Sequence, residues 1–150
     1  MEHLFAPYEI AVMAKENGFN DSCLAYYYTN IDKNNLPEKD YRKNLNGLSY
    51  HETAEGEFEP NFIINNSQKD YYVSAPTHQQ LIDWFRDKHN LTIYISNAEN
   101  KIDKWDFRIM STILSEENNI DMDSELYYPT YYEALNAALI KAFKLIPKTK

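Results

Sequence analysis

Glycine is nearly missing from this chain: Gly18, Gly47 and Gly56 are the three in 150 residues. A loop that cradles phosphate needs several glycines close together, so no P-loop or dinucleotide fingerprint is present. Cysteine occurs once, as Cys23. A single thiol excludes an intrachain disulfide and a thiolate metal cage. Long apolar runs are also missing, and no stretch approaches the roughly 20 residues of a membrane span. The segment up to Phe19 lacks a basic start followed by an apolar run, so it does not read as a signal peptide. The sequon Asn90-Leu91-Thr92 carries no weight without a secretory signal. The expectation is a cytoplasmic protein with no membrane association. No G-x-S-x-G nucleophile elbow occurs either.

Positive charge is the next shortage. Lys and Arg number 15 against 23 Asp and Glu, for a net charge of −8. Residues 1–75 hold 6 basic and 12 acidic side chains; residues 76–150 hold 9 and 11. Such a chain is repelled by phosphate backbones, which disfavours nucleic acid as a partner. The basic residues Lys141, Lys144, Lys148 and Lys150 gather at the end of the last predicted helix. There they complement the helix dipole and solvate the tail.

What the chain has is tyrosine, 13 of them, within an apolar content of 43%. That content supports a folded core. Tyrosine packs its ring and keeps its hydroxyl wet, which suits sheet faces and contact surfaces.

Start and stop signals divide the chain into elements. Pro7, Glu9 and the stripe Ile10, Met13, Ala14 predict a helix over 7–17, with Gly18 as a left-handed stop and Phe19 folding back on the last turn. Residues 23–28 read as a strand, and Asn46-Gly47 as a hairpin turn. Glu52 to Glu59 reads as an exposed acidic run. Phe62–Ile64 and Tyr71–Val73 read as two short strands. Thr77 with Gln80, and Thr130 with Glu133, form two capping boxes, each preceded by proline. The first opens a helix with Leu81, Ile82, Trp84 and Phe85 on its apolar face, ending near Asn90. The second opens a helix with Leu135, Ala138, Leu139, Ala142 and Ile146 buried, stopped by Pro147. Between them, Leu91, Ile93 and Ile95 share one face of a strand, and Trp105, Phe107 and Ile109 one face of a second. Residues 115–123 read as an acidic loop, and Glu125–Tyr128 as a short third strand.

The predicted architecture is α+β: a small antiparallel sheet packed against helices, with an α-β-β-(β)-α C-terminal half. One domain is expected, with residues 1–75 supplying a helix, strands and variable loops that extend this sheet or cover its other face.

No catalytic set emerges. His3 lies near the start and His51 opens the acidic run. His78 and His89 stand eleven residues apart on one helix, too far to share a metal. His89 reads as an imidazolium favoured by the helix C-terminus. Cys23 reads as a small buried hydrophobe. The acidic runs lie in predicted loops that would not raise a carboxylate pKa. No metal or cofactor is implied, and the chain reads as a non-enzyme.

The tyrosines carry the binding expectation. On a strand, neighbours face opposite sides, so adjacent tyrosines should leave a ring outside. Tyr27, Tyr71, Tyr72, Tyr127, Tyr128, Tyr131 and Tyr132 are the candidate contact residues, for a protein partner or for self-association. The leading expectation is therefore a protein-binding module. Nucleic-acid binding or mimicry is the first alternative, and a small-ligand binder or small enzyme the second.

Two resemblances bear on this. The α-β-β-β-α order over 77–146, with its alanine-rich last helix, resembles double-stranded-RNA-binding domains. In those domains lysines at the start of the last helix grip phosphate. Here those positions hold Thr130, Tyr131, Tyr132 and Glu133, so the resemblance implies the topology without the binding residues. Four segments, PYEIAVMAKENGFNDSCLAYY, SAPTHQQLIDWFRDKHNL, KWDFRI and TYYEALNAALIKAFKLI, resemble an uncharacterised family of small proteins from gut bacteria and their phages. That resemblance implies a phage or mobile-element setting and no particular activity.

Overall fold

Pro7 and Gly18 bracket the first helix, and both act through the backbone. Helix α1 (Tyr8–Glu16) follows Pro7, whose φ of −56° is already fixed by its ring. Gly18 takes φ 87°, where a Cβ would clash with the backbone. Its N–H donates to Lys15 O (3.1 Å), and the Phe19 N–H donates to Ala14 O (2.9 Å). These are the two bonds of a Schellman cap, and Phe19 is buried against the helix end it closes.

The structure, a computed structural model, describes residues 2–28, 48–50, 72–98, 102–112 and 119–147. The chain divides into two compact units, Met1–Thr77 and His78–Lys150.

In the first unit, β1 (Ala25–Tyr28) is the central strand of a three-stranded sheet. It pairs antiparallel with β2 (Leu48–Tyr50) on one edge and β3 (Tyr72–Ala75) on the other. Phe5, Ala11, Ala25, Tyr27, Val73 and Ala75 form a buried cluster, with Tyr8 and Val12 packed on it. Phe5 bridges to Thr77, and the Ala6 N–H donates to Pro76 O (2.9 Å), which fastens the N-terminal segment beyond β3.

The second unit runs α2 (His78–His89), β4 (Leu91–Asn97), β5 (Trp105–Ser111), β6 (Asp121–Asp123) and α3 (Tyr131–Leu145). The sheet order is β4-β5-β6, all antiparallel. Leu91 and Ile93 of β4 and Phe107 and Ile109 of β5 are buried on one face. Both helices turn their apolar stripes to that face: Leu81, Trp84 and Phe85 from α2, and Leu135, Ala138, Leu139 and Ala142 from α3. The alanines bring the α3 backbone close to the strands. Leu135 and Leu139, fully buried, each contribute about 1.5–3 kcal/mol by leaving water. Asn90 ends α2 at φ 55°, a value asparagine tolerates, and turns the chain directly into β4.

The fold is α+β as the sequence predicts, with three differences. The N-terminal strands do not extend the β4-β5-β6 sheet; they build a sheet of their own. The third strand of the second sheet is Asp121–Asp123 rather than Glu125–Tyr128. It is drawn there by Arg108 of β5, which binds both carboxylate oxygens of Asp121 at 2.8 Å and reaches Asp123 at 3.6 Å. Tyr128 makes only an isolated bridge, exchanging both backbone bonds with Trp105 (2.9 and 2.7 Å). At the start of α3, the Thr130 hydroxyl oxygen accepts the Glu133 N–H (3.2 Å) and its proton goes to the Glu133 carboxylate (2.8 Å). The return arm of the capping box thus closes on the side chain of Thr130 rather than on its backbone N–H. The Asn46-Gly47 turn, the acidic run 52–59, His51 and the Phe62–Ile64 strand lie outside the described residues.

Candidate functional site

The Trp105–Tyr128 bridge has a consequence for side chains. It holds the segment before α3 beside the start of β5, so Tyr127 and Tyr131 come against Lys104 and Trp105. Trp105 donates its indole N–H to Ile102 O (3.1 Å), which fixes the turn before β5. Lys104 places Nζ 5.2 Å from the centre of the Tyr127 ring, a cation–π distance. Trp105 meets Tyr131 edge-on at 5.5 Å, and Tyr131 meets Tyr132 edge-on at 5.4 Å. Tyr132 in turn rests 5.6 Å from the His78 ring. His78 is buried, and its Nε2 lies 2.8 Å from Asn136 Oδ1. With that oxygen as acceptor, Nε2 carries the proton.

The aromatics here are exposed. Tyr127, Tyr131 and Tyr132 show 55%, 38% and 39% of their surface, and Leu126 and Ile102 show 69% and 93%. Two apolar side chains and three tyrosines of the second unit therefore face water. Beside it opens a cleft of about 350 Å³ between α3 and the segment around β6. Phe107, Met122 and Ile140 give it apolar walls, and Leu126 and Tyr128 connect it to the tyrosine patch. Lys141 and Lys144 stand on its α3 side, Asp123 and Glu125 on the other.

The candidate tyrosines separate. Tyr127, Tyr131 and Tyr132 come together on this surface, with Tyr128 half-buried behind them, 6.0 Å from Phe107. Tyr27 does not belong to any outer face. It is 6% exposed, sits in the first unit's core against Tyr8 (5.6 Å), and donates its hydroxyl to Ala6 O (2.7 Å). Tyr71 and the side chain of Tyr72 lie outside the described residues. Trp105, Lys104 and Ile102 join the surface without having been singled out by sequence. The readable signal was Ile102, an apolar residue between the two predicted strands.

The Cys23 thiol is buried, and burial pushes its pKa up to about 12, partly offset by a hydrogen bond with Ser74. Such a thiol is not a nucleophile at neutral pH. Among the described residues, no group of three His, Cys, Asp or Glu side chains is placed to hold a metal ion, and no helix is long and apolar enough to cross a membrane.

His89 reverses its sequence reading. Its ring sits 4.4 Å from Trp84 and 6.0 Å from Phe85, with Nε2 buried and unpartnered. Burial lowers its pKa below 6.5, so the neutral ring is favoured despite the helix end. The unfolded chain then binds the proton more readily than the folded one. Stability from this site is full above pH 6.5 and is lost as pH falls through that value and on through the lower folded one. Replacing His89 with Phe is expected to flatten this acid-side slope. Urea midpoints of both proteins across the range, read by tryptophan fluorescence, check it; parallel slopes would refute the assignment.

No family model, curated protein or solved structure matches the chain.

Proposed function

We propose that this chain is a non-enzymatic protein-binding module that engages its partner through the aromatic end of the second unit. The observation that carries the reading is the joint exposure of Tyr127, Tyr131 and Tyr132 with Leu126 and Ile102, next to an apolar cleft. Tyrosine and tryptophan dominate the energetic centres of protein interfaces, because they bury large area at low entropic cost. A cleft beside them accepts an anchoring side chain from the partner. The resemblance of four segments to small proteins of gut bacteria and their phages supports a phage or mobile-element accessory or host-interaction role, acting in the cytoplasm.

Nucleic-acid binding keeps one supporting observation, the order α2-β4-β5-β6-α3 with both helices on one sheet face. Against it, α3 opens with the Glu133 carboxylate where phosphate would approach.

The test uses immobilised chain against lysate of its host, beside a variant carrying Tyr127→Ser, Tyr131→Ser and Tyr132→Ser. Proteins retained by the native chain are expected to be lost by the variant, with affinity falling at least about a hundredfold for three interface tyrosines. The thermal midpoint should fall only modestly, since Tyr131 and Tyr132 lose ring contacts with Trp105 and His78 worth about 0.5–1.5 kcal/mol each, and unchanged circular dichroism shows that the variant stays folded. Equal retention by both proteins counts against the reading, and so does salt-sensitive retention of RNA alone.

A further inference from the structure

The two edges of the second sheet are built differently. β6 has three residues, two of them the aspartates 121 and 123, and such short charged edges resist pairing with other chains. β4 has seven residues, Leu-Thr-Ile-Tyr-Ile-Ser-Asn, with no charge, no proline and no bulge in its pairing to β5. Among the described residues this edge carries no charge, proline or covering strand to guard it.

The register shows which groups it offers. The Thr112 N–H donates to Asn90 O (2.7 Å), and the Ala98 N–H donates to Lys104 O (2.6 Å). Antiparallel pairing alternates, so Thr92, Tyr94 and Ser96 also turn their backbone groups toward β5. Leu91, Ile93 and Ile95 turn theirs the other way, where no strand among the described residues pairs with β4. Their side chains meanwhile face the helices: Leu91 and Ile93 are buried and Ile95 half-buried.

We propose that β4 pairs antiparallel with β4 of a second copy, joining two three-stranded sheets into one across a two-fold axis. This inference uses a different surface from the tyrosine patch and stands or falls separately. Full overlap of the strand over 91–97 places its centre, Tyr94, opposite Tyr94 of the second copy. This is a non-hydrogen-bonded pair, where side chains approach most closely. Tyr94 is 54% exposed on the open sheet face, so its ring is available for that contact. In the same register Thr92 meets Ser96. The Ser96 hydroxyl donates to Asp106, which leaves its lone pairs for the Thr92 hydroxyl. Ile93 meets Ile95 as a hydrogen-bonded pair, using the outward backbone groups and continuing the apolar face. No charge meets a like charge across the junction. An unrelated extended peptide would satisfy the backbone, but the pairing of Tyr with Tyr and Thr with Ser is specific to a second β4.

Cysteine placement tests both partner and register. Cys23 is buried and serves as an internal control. The Tyr94→Cys variant is expected to form a disulfide-linked dimer under mild oxidation, since such pairs hold Cα atoms about 4.5 Å apart. Thr92→Cys alone should not link, whereas an equimolar mixture of Thr92→Cys and Ser96→Cys should. In sedimentation equilibrium the native protein should run as a dimer. Tyr94→Lys, which sets two ammonium groups face to face, should raise the dissociation constant at least roughly tenfold with unchanged circular dichroism. A native protein that stays monomeric to concentrations on the order of 100 µM overturns the proposal. A Tyr94→Lys dimer as tight as the native one, or Thr92→Cys linking as readily as Tyr94→Cys, does the same.

Discussion

Replacing Phe85 with alanine is expected to cost the second unit about 3–5 kcal/mol. Phe85 is fully buried on α2, edge-on to Phe143 of α3 at 4.7 Å and to Trp84 at 5.1 Å. It joins the two helices above the sheet, so its loss opens a cavity that neither helix fills without moving away from its strands. Small domains hold about 5–15 kcal/mol in total, so the variant is left marginal. Both tryptophans, Trp84 and Trp105, lie in this unit, and their fluorescence during urea unfolding reads it directly. The midpoint should fall steeply with little change in slope. Phe85→Leu keeps most of the volume and should cost under about 1.5 kcal/mol. If alanine and leucine lowered the midpoint equally, the volume that Phe85 fills would not be what holds α2 to α3.

The legible parts of the fold were those written locally. Pro7, Gly18 and Phe19 define α1 within a dozen residues, and the Thr130–Glu133 cap and alanine stripe define α3. Alternation over Leu91–Ile95 and Trp105–Ile109 defined β4 and β5 and their buried face. What stayed hidden depends on distant partners. Asp-Met-Asp at 121–123 has the composition of a loop and becomes a strand because Arg108 lies opposite to receive its carboxylates. The separate first sheet is equally non-local. β1 pairs with residues 48–50 and 72–75, and no spacing near Tyr26 or Tyr27 states that.

The site was half legible for the same reason. Adjacent tyrosines predict one inward and one outward ring, which holds only where one sheet face is open. β1 is a central strand, and both Tyr26 and Tyr27 are buried. At 127–132 the segment borders a helix start instead, and three rings reach water. Trp105 and Lys104 complete that surface through a backbone bridge to Tyr128, a contact that sequence periodicity does not encode. Tyr94 was readable in principle, since it alternates with Leu91, Ile93 and Ile95. Its isolation from other tyrosines concealed it from a search for adjacent groups.

In the first unit, Phe19→Ala is expected to cost about 3–5 kcal/mol, far more than loss of one helix-end contact. Phe19 combines two roles. Its backbone N–H closes α1 onto Ala14 O, and its ring is buried beyond the helix end. Alanine retains the first and deletes the second. Gly18→Ala does the opposite: the ring stays, but φ 87° costs a Cβ-bearing residue about 1–2 kcal/mol. Relief of that strain would pull the Phe19 N–H off Ala14. Amide exchange at residues 18 and 19 separates the two. Protection should persist locally in Phe19→Ala until the whole unit opens, and should fall first at the cap in Gly18→Ala. The double variant should cost less than the two added together, because a cap already loosened has less ring burial left to lose. Simple additivity would mean that the turn and the ring act independently, and that Gly18 serves the chain reversal without positioning Phe19.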